Sequence, residues 1–223
     1  MKRYDCAQGG TAWLQARLGV VTASQFHRIL TPTLKASTSA RHYAHELLAE
    51  VYLGEDQGSA PSDEWMIRGT SMEAEAVRWY EMQREVECET VGFLTTDDGR
   101  VGCSPDRLVG TDGGLEIKCP SAKVHVGYLL GEDAHAHRCQ VQGSLWVTGR
   151  KWWDLLIYSP VLPPSLKRHE VDPEWVEAWE DALAPFLGLL SAGRATLDGM
   201  GMAAAQARTP PAEDLWDIED LLS

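Results

Sequence analysis

The stretch Gly102-Cys103-Ser104-Pro105-Asp106-Arg107-Leu108-Val109-Gly110-Thr111-Asp112-Gly113-Gly114-Leu115-Glu116-Ile117-Lys118 reads as two β-strands joined by a Gly/Asp-rich hairpin. The first strand is predicted over residues 101–109, the turn over 111–114 and the second strand over 115–119. Residues two apart in a strand share a face, so Glu116 and Lys118 project together while Ile117 points into the core. The hairpin returns Asp106 beside them. Two carboxylates converging with one ammonium suit a hard divalent cation, an activated water and a phosphodiester. A structural reading competes: Glu-x-Lys triplets are common on solvated strand faces, where the pair contributes under about 1 kcal/mol. The rest of the chain separates the two.

At 223 residues and 44% hydrophobic content, the chain is long and apolar enough for one domain with a full core. No apolar run approaches a membrane span, and Met1-Lys2-Arg3-Tyr4-Asp5 lacks a signal peptide's apolar stretch, so a cytoplasmic protein is expected. The cysteines at 6, 88, 103, 119 and 139 are odd in number and form no Cys-x-x-Cys pair, which argues against a disulfide framework and a structural zinc. Most are expected to be reduced core residues, and none follows Cys139 to build a C-terminal iron–sulfur cluster. The formal charge of −13 opposes nucleic-acid binding taken globally. Its distribution does not: residues 1–45 carry Lys2, Arg3, Arg17, Arg28, Lys35 and Arg41 against Asp5 alone.

There are no internal repeats. Helices are predicted as a short pair within 13–30, then over 39–53, 64–85, 134–147 and from 173 past 190. Asp172 serves as N-cap and Pro173 stands at the first helical position of the last. Thr22 or Ser24 is positioned to cap the second short helix. Met66, Ile67, Ala74, Val77 and Tyr80 form the periodic face of 64–85. Strands are predicted near 86–95, 152–158 and 166–171, besides the hairpin. The order implies an α/β layout with a mixed central β-sheet flanked by helices.

Five stretches together resemble the phage lambda-type exonucleases, a YqaJ-like viral recombinase family within the Pro-Asp…(Asp/Glu)-x-Lys nuclease superfamily. They are Trp13 with residues 17–24 (Arg-Leu-Gly-Val-Val-Thr-Ala-Ser), Gly69 with Glu73, Cys103-Ser104-Pro105-Asp106, residues 115–120 (Leu-Glu-Ile-Lys-Cys-Pro), and Gln140-Val141-Gln142 with residues 145–148. The resemblance implies a restriction-endonuclease-like core in an exonuclease domain over 1–198. Residues 199–223 then form a linker and an acidic amphipathic C-terminal segment.

Carried over residue by residue, Asp106 and Glu116 become metal-binding carboxylates and the Ile117 carbonyl completes the shell. Oxygen-only ligation favours Mg²⁺, with Mn²⁺ substituting. Lys118 orients or deprotonates the attacking water. Glu73 bonds a metal-bound water or the lysine, or stands on a solvated helix face. Gln140 contacts the scissile region, or is a buried amide tying its helix to the sheet. Arg17, Ser24 and Ser104 match the family's 5′-phosphate pocket, with Thr22 and Lys123 as neighbours; a guanidinium with hydroxyls suits a terminal phosphate. Met66 matches an apolar wedge that splays the duplex end, or is a core methionine. His135 and His137 reach DNA or zinc, and with no third ligand nearby zinc is disfavoured.

The function so implied is a Mg²⁺-dependent 5′-to-3′ exonuclease on double-stranded DNA ends, releasing 5′-mononucleotides and leaving 3′ overhangs for single-strand annealing recombination. The implied assembly is a homotrimeric ring, and the implied partner a phage-type single-strand annealing protein. The rivals are a structure-specific endonuclease on the same fold and a non-catalytic DNA-end binding module.

Overall fold

Pro105 has no N–H to give a ladder, and the strand predicted over 101–109 breaks there into pieces that belong to two different sheets. The computed structural model describes residues 1–57, 63–132, 135 and 137–205, with side chains left aside for 63–71. In chain order the elements are β1 (Lys2–Tyr4), α1 (Thr11–Arg17), β2 (Val21–Thr22), a 3-10 helix (Ala23–Arg28), α2 (Ala40–Leu53), α3 (Asp63–Arg84), β3 (Cys88–Glu89), β4 (Phe93–Thr95) and β5 (Val101–Cys103). There follow β6 (Arg107–Val109), β7 (Gly113–Lys118), α4 (Ala122–Leu129), α5 (Arg138–Thr148), β8 (Trp152–Ile157), β9 (Ser165–Glu170) and α6 (Pro173–Gly199).

The smaller sheet runs β1-β4-β5-β2, the larger β3-β6-β7-β8-β9. Each contains one parallel pair, β2 with β5 and β7 with β8, so both are mixed, as the α/β reading requires. The parallel β7–β8 pair needs a crossover, which α4 and α5 supply. Alternation in the larger sheet then separates two cores. Leu108, Leu155 and Ile157 pack with Val141 and Leu145 of α5 and with Trp175 and Trp179 of α6. Val109, Leu115, Ile117 and Leu156 pack instead with Ala76, Val77 and Tyr80 of α3. The larger sheet is therefore sandwiched, with its β6–β7 hairpin gripped from both sides.

Several local expectations change. Gly113 and Gly114, read as turn residues, begin β7, and the turn moves to residues 110–112. Their lack of side chains has a second use: a Cβ on Gly114 would stand 2.4 Å from the Trp153 ring, its parallel-register neighbour. Ala74 is exposed and Ala76 takes its place in the face of α3. Thr22, not Ser24, is the N-cap of the 3-10 helix, and neither hydroxyl caps it. The predicted helix over 134–147 starts at Arg138, and α4 adds a helix that the sequence pattern does not announce. Its apolar Val124, Val126 and Leu129 face solvent while His125 is buried, so its pattern is the inverse of an amphipathic core helix. All five cysteines are free, but only Cys103 and Cys139 are buried.

At the other end of the fold, the Asp172 carboxylate accepts from the Glu174 and Trp175 amides at 3.1 and 3.2 Å, as predicted for an N-cap, and from Arg138 at 2.6 Å. Beyond α6 the chain turns back, and the Ala205 amide donates to Val51 O of α2 at 3.0 Å. The amphipathic segment at 212–223 and the Met66 side chain lie outside the described residues. Among those residues, no helix is long and apolar enough to cross a membrane.

Two consequences are measurable by chemical denaturation. Gly114→Ala drives a methyl into the Trp153 ring and should cost about 1–3 kcal/mol. The Arg138 hydrogen bond, and then the backbone amides, hold the Asp172 carboxyl below its usual range. The stability it contributes is present above the unfolded-state value and lost as pH falls through the folded one. Asp172→Ala should therefore cost about 1 kcal/mol at neutral pH, with the gap to the wild type narrowing below roughly pH 4.

Candidate active site

The β6–β7 register pairs Arg107 with Leu115, Leu108 with Gly114 and Val109 with Gly113. Continued by one pair into the Pro105 break, the same register sets Asp106 across from Glu116. The Ile117 amide clamps the arrangement, donating to Asp106 Oδ2 at 2.6 Å. Gln8 holds the break from outside, donating to Pro105 O at 2.7 Å and Val91 O at 2.8 Å. Two groups then converge on Glu116 Oε1: Lys118 Nζ from the same strand face at 2.6 Å, and Gln140 Nε2 from α5 at 2.6 Å. Glu116 is only 2% exposed, and Gln140 is thereby placed at the carboxylate and ties α5 to the sheet in one bond.

Burial, and then the field of Glu116, push the Asp106 carboxyl well above the ordinary range. Burial alone would lower the Lys118 ammonium, but Glu116 and Asp106 outweigh it and its pKa lies above the usual lysine value. The lysine is therefore a firm cation, paired with Glu116 and within the field of Asp106. The three groups share a low-dielectric rim in which a divalent cation would favour the ionised form of both carboxylates.

Glu116 Oε2 and Asp106 Oδ1 accept no hydrogen bond from any described residue, leaving one oxygen of each carboxylate for such an ion. Among the described residues no three His, Cys, Asp or Glu groups cluster as metal ligands. A shell here would need the Ile117 carbonyl and waters, which matches Mg²⁺ or Mn²⁺ and not a closed zinc site.

Glu73 is bonded to a neighbour on its own side of the sheet. It accepts from Arg107 Nη1 at 3.0 Å, and Arg107, paired across the strands with Leu115, belongs to the α3 face of the sheet. Its bond goes to this arginine and not to Lys118.

The phosphate-pocket residues are brought together in part. Ser104 Oγ accepts from Arg17 Nη1 at 3.1 Å and from Trp13 Nε1 at 2.9 Å, and the guanidinium lies 4.1 Å over the Trp13 ring. Burial lowers the Arg17 pKa from the ordinary arginine value. Parallel pairing of Thr22 with Gly102 sets Ser24 and Ser104 at the same end of their strands. The Ser24 hydroxyl lies 3.5 Å from Thr22 Oγ1, and Ser24 does not bond Arg17 or Ser104. Thr22 itself is buried and Lys123 exposed. Of the other cations in residues 1–45, Arg3 pairs with Asp5 and Glu89, and Arg28 with Glu46.

His135 is exposed and His137 is not its partner. The His137 ring stacks on Tyr128 with centroids 6.1 Å apart, and burial followed by the Lys118 charge lowers its pKa to about 4.

Gln8, Trp13, Arg107 and Tyr128 join the site beyond the residues that the sequence points to. Trp13 was discoverable, since four residues on a helix put it beneath Arg17. Arg107 was not, because its partner arrives from α3.

Because Glu116 is almost wholly buried, Lys118→Met should destabilise the metal-free protein by about 3 kcal/mol. Adding Glu116→Gln should recover most of that loss in denaturant unfolding with chelator present.

Residues 12–151 match the model of the YqaJ-like viral recombinase domain. A search of the curated proteins returns no match. Among solved structures, an alkaline exonuclease, LHK-Exo, from Laribacter hongkongensis is similar at 29% identity and a TM-score of 0.75, over 86% of this chain and 98% of that one. Its complex with dAMP matches at 30% identity with the same TM-score and coverage. A phage-related exonuclease from Haemophilus somnus shares the fold at 12% identity, with a TM-score of 0.61 over 80% of this chain and 96% of that one. The matched segment includes β5 to β7 and α5, the elements that carry the carboxylates, the lysine and Gln140, and the chain belongs to the YqaJ-like viral recombinase domain family.

Proposed function

We propose that the chain is a Mg²⁺-dependent 5′-to-3′ exonuclease that degrades one strand of linear double-stranded DNA to 5′-mononucleotides. The observation that carries this reading is Asp106 set across from Glu116, with Lys118 and Gln140 both bonded to Glu116 Oε1. The similarity to an alkaline exonuclease, and to its complex with dAMP, supports the substrate class.

A bound Mg²⁺ or Mn²⁺, held by Asp106, Glu116 and the Ile117 carbonyl, would supply Lewis-acid polarisation of the scissile phosphate. The chain's own groups do the rest. Lys118 presents an ammonium where negative charge grows on the phosphoryl oxygens, and orients the attacking water. Gln140 fixes the Glu116 rotamer by donating to the oxygen that the lysine also uses. Ile117 N–H fixes Asp106 in the same way. Arg17, with Ser104 and Ser24 at the same strand ends, receives the 5′-phosphate, and its distance from the carboxylates sets the product length. Trp13 keeps the guanidinium flat and aimed.

The 3′ overhang left behind serves single-strand annealing recombination in the cytoplasm. The proposed assembly is a homotrimeric ring around the duplex, and the proposed partner a phage-type single-strand annealing protein. Within the proposed division at residue 199, the segment 212–223 is a docking peptide and Met66 the wedge at the duplex end.

Linear duplex labelled at either terminus, incubated with Mg²⁺, should release the 5′ label first as mononucleotide, while a closed circular duplex stays intact. Nicking of the circle would instead identify an endonuclease. Lys118→Ala should slow release by about 10²–10⁴-fold. Arg17→Ala should remove the preference for phosphorylated over hydroxyl ends and leave Mn²⁺ affinity unchanged; a retained preference counts against the pocket.

A further inference from the structure

Ser104, Pro105 and Asp106 are consecutive, yet they serve the two halves of the proposed reaction. Ser104 Oγ belongs to the phosphate pocket, where it accepts from Arg17 Nη1 and Trp13 Nε1. The Asp106 carboxylate belongs to the metal site, where the Ile117 amide holds it. Pro105 joins the two and lies in neither β5 nor β6. It is buried, and its carbonyl, outside both strands, takes a hydrogen bond from a side chain, Gln8 Nε2 at 2.7 Å. The second hydrogen of the same amide goes to Val91 O, between β3 and β4, at 2.8 Å.

The backbone around Gln8 is fixed on both sides. Upstream, Tyr4 of β1 pairs with Phe93 of β4, and a Cβ on Gly92 would stand only 2.3 Å from Cys6 O. Downstream, Gly9 turns the chain through the left-handed region, φ 82°, and the Gly10 amide donates to Ala7 O. The chain then enters α1, which carries Trp13 and Arg17. Gln8 itself is exposed, so its contribution lies in the two hydrogen bonds and not in packing. It also lies outside the family-matched span of residues 12–151.

Binding of a terminal phosphate speeds cleavage only if the bound phosphate and the reacting centre keep a fixed offset. We propose that Gln8 is a positioning residue that couples the two halves: by locking the Pro105–Asp106 peptide, it converts 5′-phosphate binding at Arg17 and Ser104 into faster hydrolysis at the carboxylates. The proposal rests on the exonuclease reading of the previous subsection and deepens it. Without Gln8 each half keeps its own hydrogen bonds, and what is lost is their alignment.

Steady-state kinetics on linear duplexes with 5′-phosphate or 5′-hydroxyl ends test the coupling. The wild type should show the larger kcat on phosphorylated ends. Gln8→Glu, of equal size but without a donor, and Gln8→Leu should each lose about tenfold of that kcat, with KM for those ends little changed. The loss on hydroxyl ends should be smaller, so the ratio of the two kcat values falls toward unity. Gln8→Lys, whose ammonium keeps donors for both carbonyls, should restore the ratio. An unchanged ratio, a loss carried by KM, or a Gln8→Lys protein that behaves like Gln8→Leu overturns the assignment. Equal losses on both ends, as a general loosening of structure would give, overturn it too. A wild type that releases no mononucleotide from either duplex overturns the exonuclease reading, and this inference with it. Failure of the two is therefore distinguishable.

Discussion

The hydrogen bond from the Ile117 amide to the Asp106 carboxylate is the constraint on which the site depends. It exists because Pro105 removes one ladder donor and lets the chain leave the smaller sheet, while the β6–β7 register continues past the break. One residue of slippage in that hairpin would turn every side chain of β7 over, sending Glu116 and Lys118 to the α3 side. The register is protected from both faces. Leu108 is packed into one core and Leu115 and Ile117 into another, so slippage would bury charge and expose leucine on both sides at once.

Against that rigid frame the electrostatics are deliberately unbalanced. Stability alone would favour apolar residues where Glu116 and Asp106 stand, since burying carboxylates costs more than their attraction to a lysine returns. What the arrangement gains is a site whose charge is completed by a ligand. Asp154, wholly inaccessible in the same sheet, is by contrast fully matched: it accepts two bonds from Arg168 and one from Tyr80. The contrast between a satisfied Asp154 and an under-compensated Asp106 separates a structural acid from a functional one within the same sheet.

The site was legible in the sequence where it depends on short-range geometry. The period of two along β7 and the length of one hairpin suffice to bring Asp106, Glu116 and Lys118 together, and helical spacing suffices to set Trp13 beneath Arg17. It was illegible where a partner comes from a distant element. Nothing near Arg107 shows that α3 will deliver Glu73 to it, and nothing near Glu73 shows that it will face an arginine. The division into two sheets was readable from Pro105, but a run of apolar residues on both sides of that proline masked it. Helix α4 escaped for the opposite reason, since its apolar residues lie outside and its histidine inside.

The borders of the two sheets have a bearing on how copies of the chain can meet. The larger sheet ends on one side in the two-residue β3 and on the other in β9, whose Lys167, Arg168, His169 and Glu170 put charge along the rim. The smaller ends in the two-residue β2 and in β1, which carries Lys2 and Arg3. Short or charged borders are poor templates for a neighbouring strand. Among the described residues, sheet extension is therefore a disfavoured route to self-association, and helices and loops offer the better surfaces for it.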